Sequence, residues 1–380
     1  MTQQELPETA LELRSTLTDD GVVTLGSATC DVVAPTGSQV VVRVDAAPIN
    51  PSDMGMLFAM GDTSKASAAE GSQLPAVVVP VSDVAVAGQR ARVGIAMPTG
   101  NEGGGTVVAA GPDSKAQALL GKVVGFLSGN AYAQYRTVDV SQCLEMSDGT
   151  EPADAAAAFV NPLTALGMVE TMKAEGHTAL VHTVGASNLG QMLNRICLAD
   201  GVGLVNIVRS SEQVDLLRGV GAEHVCNSSA DSFRSDLEQA LRETGATIVF
   251  DAIGGGELAD TLLSAMETVA SEQADEFSRY GSDTHKQVYI YGGLDRGPTM
   301  LRRSYGMAWS IGGWLLTPFL QKIDKDTRDR LSERVADEIT TTFASSYGMT
   351  LSLADVVDPE MVKRYGRMAT GDKALITPQA

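Results

Sequence analysis

The sequence predicts an α/β protein in which a doubly wound parallel sheet domain accompanies a β-rich domain. Three observations lead there. The hydrophobic pattern changes at Asn161, from short strands broken by Gly, Pro and Asp to alternating strands and helices. A strand, a glycine-containing turn and an amphipathic helix stand together early in the second region. The composition supplies a core: 44% of residues are hydrophobic, 20% are charged, and 39 glycines suit many tight turns. A length of 380 residues fits two or three domains.

Residues 1–160 read as β-rich. Val40-Val41-Val42-Arg43-Val44, Gly105-Thr106-Val107-Val108-Ala109-Ala110 and Lys122-Val123-Val124-Gly125-Phe126 are short strands between turn residues. Tyr132 and Tyr135 fall on a further strand and read as packing residues. The small polar stretch 61–72 is expected to be a mobile surface loop. Residues 79–96 are expected to add a hairpin. From Asn161, the spacing of Leu163, Leu166, Gly167 and Val169 opens a helix. Strands are then expected at 179–184, 203–208, 224–226, 247–252 and 287–291, with helices near 188–200, 212–220, 232–244 and 256–268. A polar insertion at 271–286 precedes the fifth strand. A last strand is expected at 308–316 and a charged helix near 324–341. Lys373-Ala374-Leu375-Ile376-Thr377-Pro378 is expected to return to the first domain. The domains are therefore 1–160 with 317–380, and 161–316.

The turn carries the chemistry. Val181-His182-Thr183-Val184 runs into Gly185-Ala186-Ser187-Asn188-Leu189-Gly190-Gln191, and Leu189, Met192, Leu193, Ile196 and Cys197 follow at helical spacing. This is the pattern of a dinucleotide-binding Rossmann unit, with pyrophosphate on the helix N-terminus. It differs from G-x-G-x-x-G at one place, where Ser187 replaces the middle glycine. Serine is small, and its hydroxyl can donate to a phosphate. The second strand begins about 20 residues later, where such units read the ribose. It ends in Val208-Arg209-Ser210-Ser211, without the acid that would accept from a 2′-hydroxyl. Arg209, flanked by hydroxyls, attracts a 2′-phosphate instead. The cofactor expected is NADPH.

Charge and cysteines narrow the partners. With 28 basic and 47 acidic residues, the net charge of −19 opposes nucleic acid and anionic lipid. Cys30, Cys143, Cys197 and Cys226 form no C-x-x-C pair. The polar, acidic N-terminus lacks the features of a secretory signal, and no apolar run is long enough to span a membrane. A cytoplasmic, reduced protein without membrane or nucleic-acid partners is expected. His182 on the first strand reads as a histidine hydrogen-bonded within the fold. His177, His224 and His285 support no nucleophile arrangement.

Five segments together resemble the medium-chain dehydrogenase/reductase superfamily. They are Ile49-Asn50-Pro51-Ser52-Asp53, Gly100-Asn101-Glu102-Gly103-Gly104-Gly105, Asn161-Pro162-Leu163-Thr164-Ala165-Leu166, the turn, and Ile290-Tyr291-Gly292-Gly293. The chain looks most like the zinc-less quinone oxidoreductase branch. The resemblance implies a β-rich GroES-like catalytic domain built from N- and C-terminal segments, with the Rossmann domain inserted between them. Cofactor contacts are expected from Asn50, Thr164, Gly185, Ser187, Asn188, Leu189, Gly190, Arg209, Ser210, Ile253, Tyr291, Gly292 and Gly293. Zinc-bearing relatives place Cys where Asn50 stands and His where Asn101 stands. Asparagine is a poor zinc ligand, so no metal is expected, and Glu102 and Asp53 are left as isolated acids.

Hydride transfer from NADPH to a quinone or α,β-unsaturated carbonyl is the function implied. The turn and Val205-Asn206-Ile207-Val208-Arg209 are also similar to 2-enoyl thioester reductases. Those carry a proton-donor tyrosine shortly after the Asn-Pro-Ser-Asp motif, where this chain has Phe58-Ala59-Met60-Gly61-Asp62. No catalytic residue is assigned. A third reading is an NADPH-binding protein without turnover, supported by the insertions at 61–96 and 271–286. A homodimer is expected through the apolar strand 307–316, whose exposed edge invites its own copy.

Overall fold

Period and capping explain the elements from residue 161 onward. The computed structural model describes residues 5–380, in two units: Met1–Val160 with Ser332–Ala380, and Asn161–Leu331. In the second unit six parallel strands form one sheet. In space they run His224–Asn227, Gly203–Val208, Ala179–His182, Ile248–Asp251, Lys286–Ile290, Trp309–Gly313. Numbered along the chain this order is 3-2-1-4-5-6, that of the doubly wound dinucleotide fold. The helix Asn188–Asp200 buries Leu189, Met192, Leu193, Ile196 and Cys197, one face at three- and four-residue spacing. Ser187 caps its start, and Gly201, at φ +65°, ends it in the left-handed conformation.

The insertion is shorter than expected, because the helix Leu258–Glu272 extends into it. Its far end is anchored by Lys286, which is fully buried. The ammonium donates to Glu267, to Ser282 Oγ at 3.0 Å and to the Thr284 carbonyl at 2.8 Å. A buried ammonium persists only when paired and hydrogen-bonded in this way.

The chain leaves this unit at 331/332, not at 316/317. Residues just past 313 pack within it: the Trp314 indole donates to Thr171 Oγ1 at 3.0 Å, and Arg330 pairs with Glu170 at 2.9 Å. The charged helix is Lys325–Asp337.

The other unit has two main sheets. One orders Ser67–Ala68, Ala76–Pro80, Val22–Asp31, Thr9–Leu17 and Met97–Pro98. The second orders Cys143–Glu145, Val123–Leu127, Glu102–Ala110, Gln39–Pro48, Ala374–Ile376 and Met349–Leu351, with Tyr135–Asp139 also on Gln39–Pro48. The C-terminal segment does return here, as Ala374–Ile376 pairs antiparallel with Gln39–Pro48, Leu375 opposite Pro48. Leu13, Leu25, Val42, Val44, Leu57, Phe58, Val77 and Ile376 share its core.

Three expectations in this unit are corrected. Residues 79–96 do not form a hairpin: the strand Ala76–Pro80 ends, and Ser82 caps a helix, Asp83–Gly88, by accepting from the Ala85 N–H. The alternating valines mimic a strand, but a serine cap followed by Asp83 starts a helix. The stretch 61–72 holds a 3₁₀ turn, Thr63–Lys65, and an edge strand, Ser67–Ala68, rather than only loop. Tyr132 also precedes its strand, which begins at Tyr135; it is fully buried, and its hydroxyl donates to the Pro48 carbonyl at 2.9 Å.

The segment 79–96 has a structural task. The helix Asp53–Phe58 ends with carbonyls that lack helical partners. Arg92 donates to the Gly55 and Met56 carbonyls, at 3.1 and 2.9 Å, and to Ser15 Oγ at 2.8 Å. Gln89 donates to the Ala59 carbonyl at 2.8 Å. Among the described residues no helix is long and apolar enough to cross a membrane.

Candidate active site

In the second unit the expected residues gather at the C-terminal ends of neighbouring strands, the edge where doubly wound sheets bind ligands. The turn follows Ala179–His182. Arg209 and Ser210 follow Gly203–Val208. Ile253 follows Ile248–Asp251, and Tyr291, Gly292 and Gly293 follow Lys286–Ile290. Thr164 is buried in the helix Val160–Ala174. Asn50 belongs to the other unit.

The turn is tightly built. A Cβ on Gly190 would lie 2.2 Å from the Gly185 carbonyl oxygen and 2.6 Å from its carbon. One on Gly185 would meet Asn206 Oδ1 at 2.8 Å. Ser187 Oγ accepts from the Gly190 N–H at 3.0 Å, which leaves its own proton to donate. The start of the helix presents unsatisfied N–H groups and the positive end of the helix dipole. Val184 holds a φ of +57°, a strained conformation for a β-branched residue, at the entry to this turn.

Asp251, at the end of its strand, orders the next loop. Its Oδ1 accepts from Thr183 Oγ1 at 3.0 Å and the Ile253 N–H at 2.9 Å, and Oδ2 accepts from the Gly254 N–H at 3.1 Å. Gly292 presses on this loop: a Cβ there would stand 2.6 Å from the Ala252 carbonyl oxygen. His182 Nε2 and the Tyr291 hydroxyl are 2.7 Å apart. Burial pulls His182 down to about 3, so its imidazole is neutral; its Nδ1 is buried without a partner. Burial and then Asp251 push the Tyr291 hydroxyl above its ordinary value. Arg209 is exposed, and among the described residues no carboxylate forms an ion pair with it. Ser210 caps the helix Ser211–Gly219.

In the first unit, Asp53 and Glu102 are not isolated acids. Both are buried and join the two motifs that contain them. Asp53 accepts from the Asn50 N–H at 2.8 Å and from the Asn101 N–H at 2.9 Å. Glu102 Oε1 accepts from the Asn50 side-chain amide at 2.8 Å, and Oε2 from the N–H groups of Phe159 and Val160 at 2.9 and 2.8 Å. Burial pushes Asp53 up to about 7 against these hydrogen bonds, with Glu102 adding to the rise. Burial likewise raises Glu102, opposed first by the charge of Lys373. The side-chain amide of Asn101 donates to Ser52 Oγ at 3.1 Å. Among the described residues no group of three or more His, Cys, Asp or Glu could hold a metal ion. This cluster is invisible to local sequence reading, since its hydrogen bonds join residues 48 to 58 positions apart. The Asp251 loop had a weak signal, an acid ending an apolar strand.

The stretch from Phe58 to Asp62, where the thioester reductases carry tyrosine, is buried at its start and exposed at Met60 and Asp62. Phe58 and Ala59 are buried, and a Cβ on Gly61 would lie 2.8 Å from the Pro80 carbonyl oxygen.

Sheet order and turn define a dinucleotide-binding fold, and known proteins share its full extent. No protein-family model matches the chain. The crystal structure of a candidate NADPH:quinone reductase from Mesorhizobium loti superposes with a TM-score of 0.72 at 26% identity, covering 99% of this chain and 100% of that one. A mitochondrial enoyl-[acyl-carrier-protein] reductase from Xenopus tropicalis is 25% identical over 276 residues, 70% of this chain and 65% of that protein. A mycocerosic acid synthase-like polyketide synthase from Mycobacterium tuberculosis is 26% identical over 170 residues, 44% of this chain but only 8% of the synthase. The chain thus shares its fold with proteins named as quinone and enoyl reductases, in line with the resemblance to the medium-chain dehydrogenase/reductase superfamily.

Proposed function

We propose that the chain is an NADPH-dependent oxidoreductase that reduces a quinone or an α,β-unsaturated carbonyl without zinc. The turn from Gly185 to Gly190 carries this reading. Its backbone is packed too closely for a side chain at Gly190, and it opens onto a capped helix N-terminus, the arrangement that takes a pyrophosphate. The exposed, unpaired guanidinium of Arg209 supports a 2′-phosphate and thus NADPH over NADH. In this reading Asn188, Leu189, Ser210, Ile253 and Tyr291 to Gly293 complete the cofactor contacts on the same sheet edge, and Thr164 of the same unit adds to them. Bound NADPH supplies the hydride. The protein orients: Glu102 and Asp53 hold Asn50, and Asp251 and Gly292 fix the loop at Ile253. Zinc has no place in it, because the side-chain amides of Asn50 and Asn101 are poor ligands and are engaged by Glu102 and Ser52.

The runner-up is a 2-enoyl thioester reductase, favoured by the similarity to the Xenopus tropicalis enoyl reductase over 70% of this chain. The tyrosine-free stretch from Phe58 to Asp62 speaks against it. Purified protein with NADPH and a panel of quinones, enones and 2-enoyl-CoA thioesters, followed at 340 nm, tests both. Oxidation with quinones or simple enones supports the first reading. Oxidation with thioesters alone selects the second. Tight NADPH binding with no oxidation leaves a nucleotide-binding protein without turnover.

A homodimer through the strand Trp309–Gly313 belongs to this reading. It is the outer strand of its sheet, and exposed Met307 and Leu315 flank it. A cytoplasmic setting belongs to it too, supported by four cysteines spaced far apart in the sequence with no C-x-x-C pair.

A further inference from the structure

His182 ends the strand Ala179–His182, directly before the phosphate turn, and Tyr291 directly follows the strand Lys286–Ile290. One strand, Ile248–Asp251, runs between them: His182 is level with Phe250, and Phe250 with Tyr289. The two side chains meet across that middle strand. His182 Nε2 and the Tyr291 hydroxyl are 2.7 Å apart, and the rings stack with centroids 5.8 Å apart and planes at 23°. The Tyr291 backbone is fixed as well, since its N–H donates to the Asp251 carbonyl at 2.9 Å.

The unpartnered Nδ1 of His182 decides which group donates. His182 is fully buried, and its ring is neutral, so it carries one ring proton. If Tyr291 donated to Nε2, that proton would sit on Nδ1, an enclosed N–H with nothing to accept it. If His182 donates instead, Nδ1 is a bare lone pair. Orphaned buried N–H groups are rarer than under-satisfied acceptors, so the Nε2–H donates to the Tyr291 oxygen. The phenol proton is then not used on His182, and the hydroxyl has no second partner among the described residues. Burial, and then Asp251, raise this hydroxyl above its ordinary value, so it keeps its proton. A buried O–H left in this way needs an acceptor from outside the protein.

Sheet order points to that acceptor. The proposed pyrophosphate turn follows Ala179–His182, and Arg209 follows Gly203–Val208, its neighbour on one side. A dinucleotide whose adenosine half lies on that side extends its nicotinamide half to the other, toward the ends of Ile248–Asp251 and Lys286–Ile290. Tyr291 stands at the second of these ends. The nicotinamide half offers a carboxamide oxygen, a carbonyl acceptor with two lone pairs.

We propose that the Tyr291 hydroxyl donates a hydrogen bond to the nicotinamide carboxamide oxygen of NADPH, and that His182 is the positioning residue that frees this proton by donating to the same hydroxyl. The inference rests on the cofactor placement proposed above. It adds a side-chain contact that orients the reacting ring, built from two residues 109 positions apart.

The test is calorimetry with NADPH and with 2′-phospho-ADP-ribose, which lacks the nicotinamide, on wild type, Tyr291→Phe, His182→Met and the double variant, each checked by thermal melt. Tyr291→Phe is expected to weaken NADPH about three- to tenfold, the loss of one neutral hydrogen bond, and to leave 2′-phospho-ADP-ribose within about twofold. His182→Met gives a similar selective loss, and the double variant loses no more than either, because all three remove the same bond. Thio-NADPH, whose carboxamide oxygen is sulfur, suffers less from Tyr291→Phe. An unchanged NADPH affinity in Tyr291→Phe, or an equal loss for NADPH and 2′-phospho-ADP-ribose, overturns the proposal. ¹⁵N-histidine NMR of wild type reads the tautomer independently of binding. A proton on Nε2 upholds the role of His182, and one on Nδ1 overturns it. If wild type binds neither nucleotide, the cofactor placement has failed and the carboxamide contact falls with it, while the tautomer still decides which of the pair donates.

Discussion

Replacing Gly190 with alanine adds one methyl group at the tightest point of the proposed phosphate turn. Its carbon would lie 2.2 Å from the Gly185 carbonyl oxygen, 2.6 Å from the carbon and 2.8 Å from the Cα. All three are backbone atoms, so no side-chain rotation relieves the clash. Ordinary carbon contacts begin at roughly 3.5 Å, so the turn must move by on the order of 1 Å. Overpacking of that kind costs about 1–3 kcal/mol of stability. The displaced N–H groups then meet a phosphate poorly, and losing one charge-assisted hydrogen bond costs about 1.5–3 kcal/mol. NADPH affinity should fall by about tenfold to a hundredfold or more. Gly219→Ala is the control, because a Cβ there has nothing within 4 Å. Isothermal titration calorimetry with NADPH, beside thermal melts, gives both numbers. A folded Gly190→Ala protein that binds NADPH as tightly as wild type would refute the placement of the phosphate.

Four further outcomes are expected. Arg209→Ala should weaken NADPH by about tenfold to a hundredfold and leave NADH unchanged, by calorimetry; equal losses for both would remove the 2′-phosphate role. His182 is held near 3 in the fold and titrates near 6.5 when unfolded, so the unfolded chain binds the extra proton between those values. Its contribution is present above pH 6.5 and is lost as pH falls toward 3, by about 2 kcal/mol at pH 5; His182→Gln should flatten that part of the stability–pH curve in urea melts, and an unchanged slope would contradict the burial argument. Protein purified without added metal should show no stoichiometric zinc by elemental analysis and keep its turnover in EDTA, whereas a chelator-sensitive enzyme would contradict the zinc-less reading. Light scattering should give twice the 39.7 kDa chain mass for wild type and a shift toward monomer for Ile311→Asp; a dimer indifferent to that change would place the interface elsewhere.

The parallel sheet was legible because its central strands hold short apolar runs, Ala179-Leu180-Val181 and Ile248-Val249-Phe250, as buried parallel strands require. The helix Asn188–Asp200 and the strand Gly203–Val208 fall where the spacing puts them, since Ser187 and Gly201 punctuate the chain there. The segment 79–96 was misread because alternating valines outweighed one serine cap, and what stabilises the helix there is long-range: Gln89 and Arg92 reach carbonyls 30 to 37 residues away. The boundary near 316 was misplaced for a similar reason, as Trp314 finds its partner at Thr171. Of the candidate site, the turn and Arg209 were readable from local chemistry. The buried cluster of Asp53 and Glu102 was not, because it forms through hydrogen bonds between residues 48 to 58 positions apart.

The measurement that bears most directly on the central claim is a stopped-flow single turnover. EDTA-treated protein preloaded with NADPH is mixed with a quinone under anaerobic conditions and followed at 340 nm. The account expects a rapid absorbance loss of one NADPH per subunit, abolished in Gly190→Ala at the same cofactor concentration. No loss of absorbance with bound NADPH and any quinone or enone, or a loss restored only by zinc, would contradict it.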